Sequence, residues 1–221
     1  MQFFHGLTVM LAVLCGPVLF AGCDRSPPDT AGDMKFSPVK TQFKNTDVTG
    51  LEYAKDFALM DHHGARRTLA DFRGKVVLIF FGYTHCPDVC PTTMAELAAV
   101  MKQLGSDADR VQVLFVTLDP ARDTQSLLAK YVPAFDSRFL GLSGDQAASE
   151  KTAKEFKIFF QKVEGKTPGS YSIDHTAGSY VFDAQGHVRL FVKHGEGAGP
   201  IAHDLAILLK PGSSEAANDR K

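Results

Sequence analysis

Residues 75–94 read KVVLIFFGYTHCPDVCPTTM, and the order of residue types in that stretch decides how the chain folds. Val76, Val77, Leu78, Ile79, Phe80 and Phe81 form an unbroken β-branched and aromatic run, the pattern of a central strand buried on both faces. Gly82 and Tyr83 turn the chain, and Pro91 announces a helix start. Met94, Leu97, Ala98, Met101 and Leu104 then recur at helical spacing, and Gly105 stops the helix. Cys86 and Cys90 sit between strand and helix. A cysteine at a helix N-terminus lies at the positive end of the macrodipole, which lowers its thiol pKa and favours the thiolate, the form that attacks disulfides and ligates metals. Cys-x-x-Cys is the usual redox spacing. Three residues separate Cys86 from Cys90, which leaves a wider chelate in which both sulfurs reach one soft ion, with a disulfide as the pair's other use.

Outward from this stretch, residues 111–118 (VQVLFVTL) read as a second buried strand, so that strand, helix and strand form a right-handed parallel unit. Asp119-Pro120-Ala121-Arg122-Asp123-Thr124 follows, at the strand edge where open α/β sheets place their sites. Its plain reading is a turn plus a helix cap, with Asp123 or Thr124 capping a helix through Leu127, Leu128 and Tyr131. Residues 139–142 read as a short strand, 146–156 as a helix, 159–163 as apolar and extended, and 166–172 as a loop. Asp174 and His175 stand in a loop just before a strand at 178–182, which turns at 183–186 and returns at 188–192 as an antiparallel hairpin. An earlier hairpin is expected from a strand at 57–61, a turn at 62–65 and a return at 66–69. The fold class is α/β, a central mixed sheet flanked by helices with an N-terminal β-hairpin.

With 221 residues, the chain has enough length for one good-sized core. Its formal charge of −1 and lack of a basic run exclude nucleic acid as an expected partner. Of four cysteines, Cys15 lies inside an apolar N-terminal run and Cys23 at its end, so only Cys86 and Cys90 belong to the globular part. A disulfide between them would close a very short loop and add little by chain entropy, which leaves function as the reason for the pair. Residues 6–21 (GLTVMLAVLCGPVLFA) fall short of the roughly 20 residues a spanning helix needs and are broken by Pro17, as in a signal-peptide core. Residues 19–23 (LFAGC) resemble a bacterial lipobox, in which Cys23 receives lipid, although Phe20 stands where Leu is usual and no Lys or Arg precedes the run. Ordinary cleavage and an uncleaved anchor are the alternatives. Each places the domain outside the cytoplasm, and the expected location is the periplasmic side of the inner membrane. Residues 1–23 are thus a signal segment, 24–45 a flexible tether, 46–210 the domain and 211–221 a polar tail.

A lone histidine is more often structural than a ligand. His175 is raised above that by its strand-edge setting and by the need of a two-thiolate site for a third donor. Cys86, Cys90 and His175 form a soft to borderline set suited to Cu(I) in a trigonal site, with room for a fourth donor to Cu(II). Zinc normally takes four ligands in structural sites, and no fourth is evident. His85 is the competing ligand, but a residue beside a chelating cysteine on a turn more often points away. His62 and His63, adjacent on a turn, are expected to point apart as a solvated pair. Asp88 would raise the thiol pKa by its charge, against the helix dipole. Phe81 and Tyr83 are expected to shield the site from water. Residues 194–200 (HGEGAGP) imitate a dinucleotide fingerprint but place Pro200 at the final Gly and lack a following strand; they read as a loop into a helix at 201–209.

GYTHCPDVCPTTM, FVTLDPARDT and DHTAGSYVFDAQGHVRLF, in this order and spacing, resemble the Sco/SenC family of copper-binding cytochrome c oxidase assembly proteins, over residues 57–209. The resemblance implies a thioredoxin-like domain that binds one copper through Cys86, Cys90 and His175. It implies cytochrome c oxidase subunit II, with its dinuclear copper centre, as the recipient, and another protein as a possible copper donor. Many relatives carry a transmembrane anchor where this chain carries a lipoprotein-like signal. The rival activity is thiol-disulfide exchange on partner cysteines, for which Cys86 and Cys90 would suffice. A structural disulfide and a peroxidase of the same fold superfamily are lesser readings.

Overall fold

The computed structural model describes residues 43–210. The expected signal segment with Cys15 and Cys23, all but the last three residues of the tether, and the polar tail lie outside the described residues. In chain order the elements are β1 (Thr46–Asp47), β2 (Leu59–Asp61), β3 (Arg66–Arg67), β4 (Val76–Gly82), α1 (Val89–Leu104), β5 (Val111–Thr117) and α2 (Gln125–Tyr131). They continue as β6 (Leu140–Ser143), α3 (Gln146–Glu155), β7 (Phe160–Glu164), β8 (Tyr171–His175), β9 (Gly178–Phe182), β10 (Val188–Lys193) and α4 (Ala198–Leu208).

Eight strands form one sheet in the order β1-β10-β9-β4-β5-β6-β2-β3. β4, β5 and β6 run parallel at its centre, and the strands on either side are antiparallel to their neighbours. Every residue of β4 and β5 is buried, because the sheet is covered on both sides. Val76, Leu78 and Phe80 pack under α1, α2 and α4, while Val77, Ile79 and Phe81 face the opposite layer with α3. The architecture is a thioredoxin-like α/β fold with the expected N-terminal hairpin, β2 and β3. β7 and β8 stand outside the main sheet as a two-stranded antiparallel ribbon.

Several boundaries differ from expectation. α1 begins at Val89, two residues before Pro91, and α4 at Ala198, two before Pro200. Both prolines fall in a first helical turn, where no intrahelical N–H is needed. Asp174 and His175 belong to strand β8 rather than to a loop. The extended stretch expected at 159–163 is β7, but it is largely exposed, with Phe159 and Val163 outside the core. Phe81 does not shield the cysteines; its ring lies 5.2 Å from that of Phe156 in the opposite layer.

Phe156 is fully buried, against Phe81, Tyr180 (5.7 Å) and Phe182 (6.1 Å). Phe156→Ala should cost about 3–5 kcal/mol in denaturant unfolding. Thiol reactivity at Cys86 and Cys90 should stay unchanged, since they lie across the sheet. A loss below about 1 kcal/mol would contradict this packing.

Candidate metal centre

β4 ends where its last residue has no side chain, and the reason is steric. A Cβ on Gly82 would stand 2.8 Å from Cys90 Sγ and 3.1 Å from both Phe80 and Phe115. The Gly82 carbonyl accepts the Leu118 N–H at 2.8 Å, and the Cys86 N–H closes the next turn on the Tyr83 carbonyl at 3.3 Å. Asp88 precedes α1, its carboxylate accepting from Thr92 Oγ1 at 3.3 Å, and Cys90 falls in the first helical turn. Both cysteines are free thiols, Cys86 partly exposed and Cys90 buried. The Cys90 N–H donates to Cys86 Sγ at 3.4 Å, which fixes the Cys86 sulfur over the first turn of α1.

His175 arrives from β8, 85 residues after Cys90, with Nε2 3.8 Å from Cys90 Sγ. Its Nδ1–H donates to the Thr176 carbonyl at 3.0 Å, which places the ring proton on Nδ1 and leaves the Nε2 lone pair facing the sulfur. The ring meets Tyr83 edge-on at 6.1 Å, and Tyr83 Oη accepts the Ile173 N–H at 3.2 Å. Burial lowers the His175 pKa below its ordinary 6.5, outweighing the Thr176 carbonyl and Asp174, which pull upward. Burial pushes the Cys90 thiol up, and Cys86 and Asp123 add to the rise. For Cys90, desolvation therefore overrides the lowering expected from the helix N-terminus.

Two soft sulfurs and one imidazole nitrogen with an available lone pair fit a soft or borderline ion. Among the described residues no three His, Cys, Asp or Glu side chains already stand as a closed cage. Closing the set requires a side-chain movement, for which Cys86, partly exposed, has room.

Three residues of the β5–α2 loop, Asp119, Arg122 and Asp123, lie beside this site; the resemblance of the Asp-Pro-x-Arg-Asp-Thr segment implied a surface near the site for Asp119 and Arg122 but assigned no role to either. Asp123, fully buried, accepts from Thr84 N at 3.0 Å, Thr84 Oγ1 at 2.6 Å and Thr117 Oγ1 at 2.6 Å. The cap of α2 is Thr124, whose Oγ1 accepts the Leu127 N–H. Two candidate caps for one helix left an acid to spare, and that was the available signal. Arg122 pairs with Asp119 through Nε and donates from Nη1 to the Tyr171 carbonyl at 2.9 Å. Its guanidinium lies 3.5 Å from the Tyr171 ring centroid, while Tyr171 Oη donates to Asp119 at 2.9 Å. Arg122 Nη2 is buried with no acceptor among the described residues, at a cost of about 1–3 kcal/mol that the other contacts must outweigh.

The competing histidines are placed elsewhere. Thr84 Oγ1 gives its proton to Asp123 and accepts from His85 Nδ1 at 3.0 Å, which turns His85 toward that carboxylate. His62 and His63 come together rather than apart, with Nε2 to Nε2 3.0 Å. The Gly141 N–H donates to His62 Nδ1 at 2.9 Å, so His62 carries its proton on Nε2 and donates it to His63. That proton blocks a metal there. Within residues 194–200, His194 Nδ1 meets Thr93 Oγ1 at 3.0 Å.

The chain matches the SCO1/SenC family model over residues 46–210. It is 38% identical over 133 residues to the mitochondrial SCO2 homolog of Bos taurus, covering 59% of this chain and 50% of that protein. This chain spans about half the length of such curated relatives. The structure of Bradyrhizobium japonicum ScoI with copper bound is 40% identical, with a TM-score of 0.64 over 68% of this chain and 96% of that one. Apo Sco1 of Thermus thermophilus is 39% identical, with a TM-score of 0.68 over 75% of this chain and 96% of that one.

Gly82→Ala should destabilise the protein by about 1–3 kcal/mol through overpacking against Cys90. Unchanged stability in a denaturant titration would contradict the close approach. In the metal-free reduced protein, His175 should titrate below 6.5, because burial disfavours the imidazolium. Nε2 then keeps its lone pair at pH values where an ordinary histidine is half protonated. An NMR titration with a midpoint above 6.5 would contradict the buried neutral imidazole.

Proposed function

This chain belongs to the SCO1/SenC family, and on that premise we propose that it binds copper through Cys86, Cys90 and His175 and serves cytochrome c oxidase assembly. The observation that carries the reading is His175 Nε2, proton-free and 3.8 Å from Cys90 Sγ. Disulfide exchange has one use for that lone pair, as a base for the Cys90 proton, whereas a soft ion takes it as a third donor beside the two sulfurs. The set is soft enough for Cu(I), and a fourth donor would accommodate Cu(II). Copper is cargo here. A partner thiolate can approach Cys86 on its exposed side and take the ion over by ligand exchange, and the proposed recipient is the dinuclear copper centre of oxidase subunit II. A further copper protein would supply the ion. We place this exchange on the periplasmic side of the inner membrane, with lipidated Cys23 as the proposed anchor and residues 24–45 as the tether.

One observation favours a second use of the pair. Cys86 is partly exposed and Cys90 buried behind it. In thiol-disulfide exchange, Cys86 thiolate would attack a partner disulfide, and Cys90 would resolve the mixed disulfide. The partner leaves with two thiols and the pair as a Cys86–Cys90 disulfide. Formation of that disulfide would abolish copper binding.

Anaerobic competition on the reduced full-length protein separates the two. Parent protein should hold about one copper per chain, and His175→Ala and Cys86→Ala should each lose tenfold or more in affinity, about 1.4 kcal/mol. Parent-like affinity in His175→Ala, with rapid exchange against a substrate disulfide, would favour the oxidoreductase instead.

A further inference from the structure

The His175-bearing ribbon is tied to the site side of the domain from its β8 edge. Two outward groups of β8 are held: the Ile173 N–H donates to Tyr83 Oη at 3.2 Å, and the Tyr171 carbonyl accepts from Arg122 Nη1 at 2.9 Å. The Tyr171 ring is held as well, between the Arg122 guanidinium at 3.5 Å and Lys162 Nζ at 4.1 Å, with its hydroxyl on Asp119 at 2.9 Å. Asp119 in turn pairs with Arg122. On the other side of the same loop, Asp123 grips the backbone and hydroxyl of Thr84, two residues before Cys86. The Asp123 N–H bonds the Asp119 carbonyl at 2.9 Å, so the two grips share one tight turn.

We propose that Asp119, Arg122 and Asp123 are positioning residues that set the separation of His175 from the two sulfurs. Arg122 and Asp119 act by latching β8, and Asp123 by holding the turn that carries Cys86. A single loop at the end of β5 thereby registers two segments of chain that have no covalent reason to meet. The inference rests on the three-donor reading of the site. Arg122 donates to a carbonyl and stacks on a ring at once, a combination that a lysine does not reproduce.

The test compares Arg122→Lys, Arg122→Ala and Tyr171→Phe in the full-length protein, first without metal. Amide hydrogen exchange at Ile173 should quicken by at least about tenfold in Arg122→Ala, the size expected for losing a hydrogen bond to a charged group. It should quicken less in Tyr171→Phe, while amides in the middle of α1 keep parent rates. Copper affinity should fall at least about tenfold in Arg122→Ala, with only partial rescue in Arg122→Lys. Adding His175→Ala to Arg122→Ala should cost clearly less than the two single losses together, because both changes act on the same donor. Where Arg122→Ala does not fold, Arg122→Lys and Tyr171→Phe carry the same comparisons. Parent-like exchange at Ile173 in the Arg122 variants, or losses from Arg122→Ala and His175→Ala that simply add, would overturn the latch. If His175→Ala alone keeps parent affinity, the three-donor reading falls, and the metal-free exchange rates still decide whether Arg122 holds β8.

Discussion

The Cys90 sulfur fills the space that a side chain at position 82 would need, and this close approach sets where the rest of the site lies. Strand β4 is buried on both faces, so its end is rigid, and the first turn of α1 packs directly on it. Both cysteines are thereby pinned to the edge of the sheet where the parallel strands β4 and β5 end. The loop after β5 leaves from the same edge. Asp123 reaches across it to Thr84, and Arg122 reaches to β8. Packing in the core thus determines which polar groups meet at the rim.

Burial then decides the protonation of the donors. It pushes the Cys90 thiol up and the His175 imidazole down, so each neutral form is favoured in the metal-free protein. The consequence differs for the two. A neutral imidazole is already a ligand, and its Nδ1–H on the Thr176 carbonyl orients the lone pair. A neutral thiol is not, so metal entry at Cys90 must displace a proton, which ties affinity to pH. Partly exposed Cys86, with the Cys90 N–H on its sulfur, is the natural first point of contact.

Much of this was legible in residue order. The run from Val76 to Phe81 announced a doubly covered strand, and Met94, Leu97 and Met101 announced the helix above it; all of them are buried as expected. The two cysteines and His175 stood out by chemistry and by resemblance. Strand β8 did not, because its alternation of Tyr171 and Ile173 with Ser172 and Asp174 spans only five residues and adjoins a Gly/Pro/Ser loop. Phe81 was assigned to the wrong side, since a strand buried on both faces gives no sign of which residue faces which layer. The direction of the Cys90 pKa shift stayed open in the sequence, between a helix dipole that lowers it and an Asp88 charge that raises it, and burial raises it. Position in a helix is visible in sequence, whereas the depth of burial that overrides it is not. Arg122 and Asp123 looked like turn and cap residues, and only the three-dimensional proximity of Tyr171 and Thr84 reveals what they hold.

The convergence of three donors on one ion is tested most directly by X-ray absorption at the copper edge of the reduced, copper-loaded full-length protein. Two sulfurs and one imidazole nitrogen around a single copper is the expected result, with the nitrogen lost in His175→Ala. A sulfur-only environment in the parent, or a spectrum unaltered by His175→Ala, would contradict a site built from Cys86, Cys90 and His175.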